Sequence, residues 1–363
     1  MKVAIVHELL TRRGGAERVA KVLADMFPEA PIYTLLYNEK KLGDWFPKER
    51  VISADLPKRF GFNHHLLLRK FPAAVEKWDF SEYDVVISSS SAFVHGIITN
   101  GKPKHICYVH SPARYLWDAT HEVLSRASKG PLGFLKRKYL EHTFHKLRIW
   151  DAEVSPRPDV LIANSKEVQR RIELYWRRDS QVIHPPIDPF WFSNEKQVTS
   201  NKKQFLIVST LTPYKNIEIA IEACNALELP LKIVGEGPDK KRLQSLAGKT
   251  VEFLGYKPNT DVQKLYTEAS AVLFPGADDF GMVPVEAMAC GTPVIALRKG
   301  GALETVIENQ TGLFFNEPTA DSLQSILKSF DSTKFDSTTC KEHAKQFSQQ
   351  LFEEQIQNII TTI

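Results

Sequence analysis

No apolar run in this 363-residue chain approaches the roughly 20 residues that a membrane-spanning helix needs. The opening Met1–Leu10 stretch is too short for a secretion signal and is soon followed by Arg12 and Arg13, so it reads as a first strand. Cysteine is scarce. Cys107, Cys224, Cys290 and Cys340 stand far apart without metal-binding spacing, which argues against a disulfide framework or a cysteine metal site. Unpaired thiols in a reducing compartment are the expectation, and with them a cytoplasmic protein. Neither sign of charge dominates: 47 Lys and Arg face 43 Asp and Glu, a net +4. That excludes a general polyanion binder, and no nucleic-acid recognition motif is present. No Asp-x-Asp run that would hold a metal follows a predicted strand. The dinucleotide fingerprint is incomplete as well: Gly235-Glu-Gly237-Pro238 follows a strand, but position 240 is Lys.

What is present has the balance of a globular protein, 43% apolar and 25% charged residues, in a chain too long for one ordinary core. Apolar, β-branched runs predict strands at Val3–Val6, Ile32–Leu36, Val51–Ser53, Val85–Ser88, His105–Val109, Val160–Ala163 and Val182–His184. Helical patterns separate them, among others at Ala16–Met26, His64–Trp78 and Ser165–Trp176. A proline-rich connection from His184 and a polar stretch to Lys203 read as a linker. A second series follows, with strands at Phe205–Ser209, Leu231–Val234, Val251–Leu254, Ala271–Phe274, Val294–Leu297 and Leu313–Phe315. Near-continuous apolar strands alternating with helices predict parallel sheets covered on both faces. The fold class is α/β, two Rossmann-like doubly wound domains. Ligands of such sheets lie beyond the carboxyl ends of the strands, so the informative residues are those just after each strand.

The most explicit stretch is Phe274-Pro-Gly-Ala-Asp278-Asp-Phe280-Gly281-Met282-Val283-Pro-Val-Glu286-Ala-Met-Ala-Cys-Gly-Thr-Pro-Val-Ile-Ala296. It reads as a strand end, an acidic loop, a short helix, a glycine stop and another strand. The amides near Gly281, Met282 and Val283 then sit at a helix start, which favours an anion, above all a phosphate. Asp278 and Glu286 flank it, suited to hydroxyl groups of a sugar, although acids at a helix start are also ordinary dipole-compensating residues. Other strand ends carry Gly14-Gly15 before a helix, His110 in Tyr108-Val-His-Ser-Pro-Ala-Arg114-Tyr-Leu-Trp117, Lys215-Asn216 with a helix Asn216 can cap, and Gly255-Tyr256. Each alone is weak: glycine pairs mark turns, a lone His is often structural, and Lys215 could be a surface lysine. Arg114, Tyr115 and Trp117 either line a pocket or simply pack.

Together, Asp278-x7-Glu286, the Ala-Met-Ala-Cys-Gly-Thr-Pro that follows and Gly300-Gly301 resemble the donor-site signature of glycosyltransferase family 4. That resemblance covers nearly the whole chain. It implies the GT-B architecture, two Rossmann-like domains facing across a cleft, and a retaining, metal-independent hexosyltransferase. Its substrate would be a GDP- or UDP-linked sugar, with no other cofactor. The domains would span 1–186 and 187–340, with a C-terminal segment, about 341–363, packing back on the first. The resemblance places Lys215 and the Gly14-Gly15 loop at the diphosphate and His110 and Asp278 at the transferred sugar. It puts the nucleobase at Gly255 and Tyr256, and the ribose at Glu286, beside Phe280 to Val283. Two positions depart from the family: Asp278 replaces its usual Glu, and Thr210 replaces the Arg that accompanies Lys215, so that either the donor binds more weakly than in relatives or another cation, Arg12 or Arg13, takes that place. The wording of Phe280–Glu286 and Thr212–Lys215 is similar to mannosyltransferases of the family, pointing first to mannose from a guanosine donor. A sugar-nucleotide epimerase, a phosphorylase, or a catalytically silent binding subunit are the alternatives.

Between Arg126 and Arg148, seven basic residues including Lys129, Lys136, Arg137 and Lys138 interleave with Leu132, Phe134, Leu135, Tyr139 and Phe144, against the single acid Glu141. A second such run is 58–71. These read either as basic helices lying on an anionic membrane that carries a glycan or lipid-linked acceptor, or as helices with one core face and one solvated face.

Overall fold

The computed structural model describes residues 1–57, 67–128, 130, 132–193 and 204–363. Lys129, most of the basic run 58–71 and the polar linker 194–203 lie outside these. The chain divides into two compact units, one formed by Met1–His184 with Glu353–Ile363 and the other by Pro185–Phe352. The returning segment therefore starts at Glu353, short of the expected 341. The helix Ser337–Ala344 belongs to the second unit because Cys340 and Ala344 are buried in that unit's core.

In the first unit, seven parallel strands lie in the order β3-β2-β1-β4-β5-β6-β7: β1 Val3–Leu10, β2 Ile32–Tyr37, β3 Val51–Ser53, β4 Val85–Ser90, β5 Lys104–Val109, β6 Val160–Ala163 and β7 Gln181–Val182. The second unit has six parallel strands ordered β10-β9-β8-β11-β12-β13: β8 Phe205–Val208, β9 Leu231–Val234, β10 Val251–Gly255, β11 Ala271–Phe274, β12 Val294–Leu297 and β13 Gly312–Phe315. Their central strands are buried on both faces, β4, β11 and β12 at every residue, which is why β11 and β12 read as unbroken apolar runs rather than alternating ones, and β4 does so as far as Ile87. Two doubly wound α/β units of GT-B type are the result. In each, the strand order reverses between a first and a fourth strand, β1 with β4 and β8 with β11, the place where doubly wound sheets take their ligands.

The sequence misplaced some edges. β1 extends to Leu10, because His7 and Glu8 find partners on β4 and the loop after it. β7 is only two residues long, and the expected His64–Trp78 helix is interrupted by a turn at 68–70 before the helix Phe71–Val75. All four cysteines are buried and unpaired.

Candidate active site

In the second unit, the loops after β8, β9, β11 and β12 converge at the carboxyl edge of the sheet. They pack backbone on backbone. Gly235, at φ +134°, lies so close to the Ser209 carbonyl that an added Cβ would sit 1.8 Å from it, and Gly237 meets Leu211 in the same way. The incomplete dinucleotide fingerprint is thus a packing feature. An added Cβ on Gly300, at φ +66°, would sit 2.5 Å from the Asp278 carbonyl oxygen, which accepts from the Gly301 amide at 2.9 Å. The loop carrying Asp278 is fixed from both sides, since position 276 abuts the Lys215 backbone.

Across the β8–β11 crevice, Lys215 Nζ donates to Asp278 Oδ2 at 2.5 Å, with both side chains mostly out of solvent. The other oxygen, Oδ1, is buried with no partner among the described residues. Asn216 starts the Ile217–Ala226 helix in a left-handed conformation (φ +52°) that asparagine tolerates, and its side chain makes no capping bond, contrary to expectation. Thr210 lies exposed on the same loop, its carbonyl taking the Thr212 amide at 2.9 Å.

The helix after Asp278 runs Met282–Ala289, starting from Gly281 at φ +87°. A helix start leaves the amides of Gly281, Met282 and Val283 without partners inside the helix. Pro284 falls in this first turn, where its missing N–H costs nothing. Glu286 is 5% exposed, and its Oε2 accepts from the Tyr266 hydroxyl at 3.3 Å. Sequence reasoning passed over Tyr266, which lies on the buried face of the Asn259–Glu268 helix and gives no local signal. The Phe280 ring is turned into the core edge-on to Phe347, so only its backbone remains for a ligand. Tyr256, just after Gly255, is 76% exposed, so it is not an internal packing residue of its unit.

In the first unit, Gly14 precedes the Gly15–Met26 helix. The buried Glu17 carboxylate takes the Gly14 amide, and burial raises its pKa. This is the reverse half of a capping box, legible from the three-residue spacing Gly14 to Glu17 but overlooked. Arg13 meets Asp44 in two 2.6 Å contacts at the surface, with Trp45 beneath it, and Arg12 stays beside Glu17.

His110 follows β5, and its Nε2 lies 2.7 Å from Ser89 Oγ, which also lies 3.0 Å from His7 Nδ1. Burial drives the pKa of His7 down to about 4 and that of His110 to about 3, so both rings are neutral at pH 7. Neither His7 nor Ser89 was singled out, although four serines in a row, Ser88–Ser91, at the end of an apolar strand are a signal. Next to them Glu8 accepts from the amides of Ser91, Ala92, Phe93 and Val94; burial pushes its pKa up to about 7 while those four amides favour its charged form.

Beyond His110, Tyr115 is partly buried against the core, and Arg114 lies 3.5 Å from Asp118. Trp117 stacks on Tyr175 and donates to Asp151 at 2.9 Å. Asp151 also accepts from Trp176 at 2.7 Å, and its other oxygen is 3.5 Å from His95, all inside the unit. Trp117, His121, Phe144, Arg148 and Tyr175 border a groove of about 410 Å³.

Two family models match the chain end to end, "Glycosyltransferase Family 4" over 13–190 and "Glycosyl transferases group 1" over 190–349. An uncharacterized glycosyltransferase of Methanocaldococcus jannaschii is 27% identical over 52% of this chain and 54% of its own length. A putative colanic acid biosynthesis glycosyltransferase of Salmonella typhimurium is 31% identical over 44% of this chain and 45% of its own. The chain thus spans about half the length of these curated relatives. The Anabaena protein HepE, crystallised with UDP, superposes with a TM-score of 0.73 at 18% identity, covering all of both chains, a likeness of fold.

Proposed function

Because the chain is a glycosyltransferase family 4-like protein with the GT-B fold, we propose that it moves a hexosyl group, with retention, from a nucleoside diphosphate sugar to a glycan or lipid-linked acceptor. The observation that carries this reading is Lys215, Asp278 and the Met282 helix start set together at the crevice of the second unit. As the bond from the anomeric carbon to the phosphate oxygen breaks, charge grows on the departing diphosphate, and stabilising it is the main catalytic demand. Lys215 and the amides of Met282 and Val283 meet that charge in place of a metal ion. In the second unit Asp278 holds the sugar hydroxyls, Glu286 the ribose, and Gly255 with Tyr256 the base; in the first unit His110 is read as a contact to a sugar hydroxyl.

A thermal-shift panel of nucleotides tests it. GDP-mannose heads the panel because of the wording at 280–286. UDP-glucose comes next, because the Anabaena neighbour was crystallised with it. A ligand at 100 times its Kd stabilises by about 2.7 kcal/mol. Glu286→Ala should abolish that shift, and Glu286→Gln, which still accepts from Tyr266, should keep the fold. Equal shifts in wild type and both variants would remove Glu286 from the donor site. Product analysis without acceptor separates transfer from epimerisation.

For the acceptor, the reading extends to an anionic membrane surface. Among the described residues no helix is long and apolar enough to cross a membrane. The Gly133–Val154 helix has two characters: Phe144, Leu147, Asp151 and Val154 are buried, whereas Leu132, Phe134, Leu135 and Tyr139 near its start are exposed beside Lys136, Arg137 and Lys138. An exposed apolar tip among cations suits an anionic bilayer. The protein should sediment with anionic vesicles and be released by salt, and Phe134→Asp should abolish sedimentation. Absence of binding at low salt would point to a soluble acceptor.

A further inference from the structure

One hydroxyl joins the ends of three adjacent strands in the first unit. His7 on β1 and Ser89 on β4 are in register, and His110 follows β5, whose Tyr108 is in register with Ser89. His7 and Ser89 are buried, while His110 as a residue is half-buried. A hydroxyl has one proton and two lone pairs, so it cannot donate to both imidazoles. Bond lengths favour one direction. Hydroxyl-donated bonds to oxygen cluster at about 2.7–2.8 Å and N–H···O bonds at about 2.9–3.0 Å. The 2.7 Å contact to His110 Nε2 then has Ser89 donating, and the 3.0 Å contact has His7 Nδ1 donating to Ser89. In a neutral His110 the remaining proton lies on Nδ1.

We propose that Ser89, itself oriented by His7, is a positioning residue that fixes His110 as the Nδ1–H tautomer, so that this ring nitrogen donates a hydrogen bond to an oxygen of the transferred sugar. The functional half rests on reading His110 as a sugar contact. Replacing Ser89 frees the ring to exchange its proton between nitrogens, which weakens catalysis without removing a donor-binding group.

Nitrogen-15 NMR of histidine-labelled protein, assigned with His7→Gln and His110→Ala, tests the tautomer directly. The expected result is Nδ1–H on both His7 and His110 in the wild type, with Ser89→Ala shifting His110 toward Nε2–H. Nucleotide release from GDP-mannose or UDP-glucose should lose about tenfold in kcat in Ser89→Ala with the donor KM within about twofold, and Ser89→Thr, which keeps the hydroxyl, should restore both. Where the alanine variant does not fold, Ser89→Cys, which replaces the hydroxyl by a weakly bonding thiol, should shift the tautomer in the same direction. An Nε2–H His110 in the wild type, or one unchanged by losing the Ser89 hydroxyl, overturns the proposal. A tautomer that shifts as expected while His110→Ala retains wild-type turnover overturns the sugar-contact reading and the functional half with it.

Discussion

Lys215→Ala is expected to lower turnover of the nucleotide sugar by about 10²–10³-fold, the usual cost of deleting one preorganised charge-stabilising donor. Lys215 is paired with Asp278 before any substrate arrives, so diphosphate must draw the ammonium from a carboxylate already holding it. Thr210→Arg tests the same place from the other direction. A guanidinium adds a planar, two-pronged donor that a lysine cannot imitate. Thr210 is exposed on the loop that carries Lys215, so the added arginine should tighten nucleoside diphosphate binding. A well-placed charge-assisted bond contributes about 1.5–3 kcal/mol, roughly 10- to 150-fold in Kd. Calorimetric titration of GDP and UDP into both variants measures this. If both substitutions prove neutral, the diphosphate does not bind here and the donor assignment falls.

The second large effect is on stability. Asp151→Ala is expected to cost about 3–5 kcal/mol, because it leaves the indole N–H groups of Trp117 and Trp176 buried without an acceptor and opens a void beside His95. For a unit of this size, 1 kcal/mol moves the melting temperature by about 2–4 °C, so a fall of about 10 °C is expected. Asp151→Asn, which retains an acceptor oxygen, should cost clearly less. Scanning calorimetry of both variants decides; a loss under about 1 kcal/mol in Asp151→Ala would mean the indoles find other acceptors.

The strands and the convergent loops of the second unit were legible in the sequence because they are local patterns. A buried parallel strand is a short apolar run, and a glycine marks the place where two backbones touch. The partnerships were not legible. Lys215 and Asp278 are 63 positions apart, and Asp151 serves indoles 34 and 25 residues away. Such pairs depend on how strands are ordered in the sheet, which no short window records. Ser89 is an intermediate case: the serine run is visible, but its meaning appears only when β1, β4 and β5 lie side by side. The basic helix does not reduce to a single face, because burial changes along its length: Phe144 and Leu147 are buried, whereas Phe134 and Leu135 are exposed.

The first unit takes its last piece, Glu353–Ile363, from beyond the whole of the second. During synthesis, at about 5–20 residues per second, that segment leaves the ribosome about 10–30 s after residue 184. Until Ile356, Ile359 and Ile360 arrive to be buried, the apolar surface that receives them stays open. Folding of the nascent chain is therefore not strictly sequential. The earliest-made unit is the last to be finished, and during that interval it is the part of the molecule most in need of a chaperone.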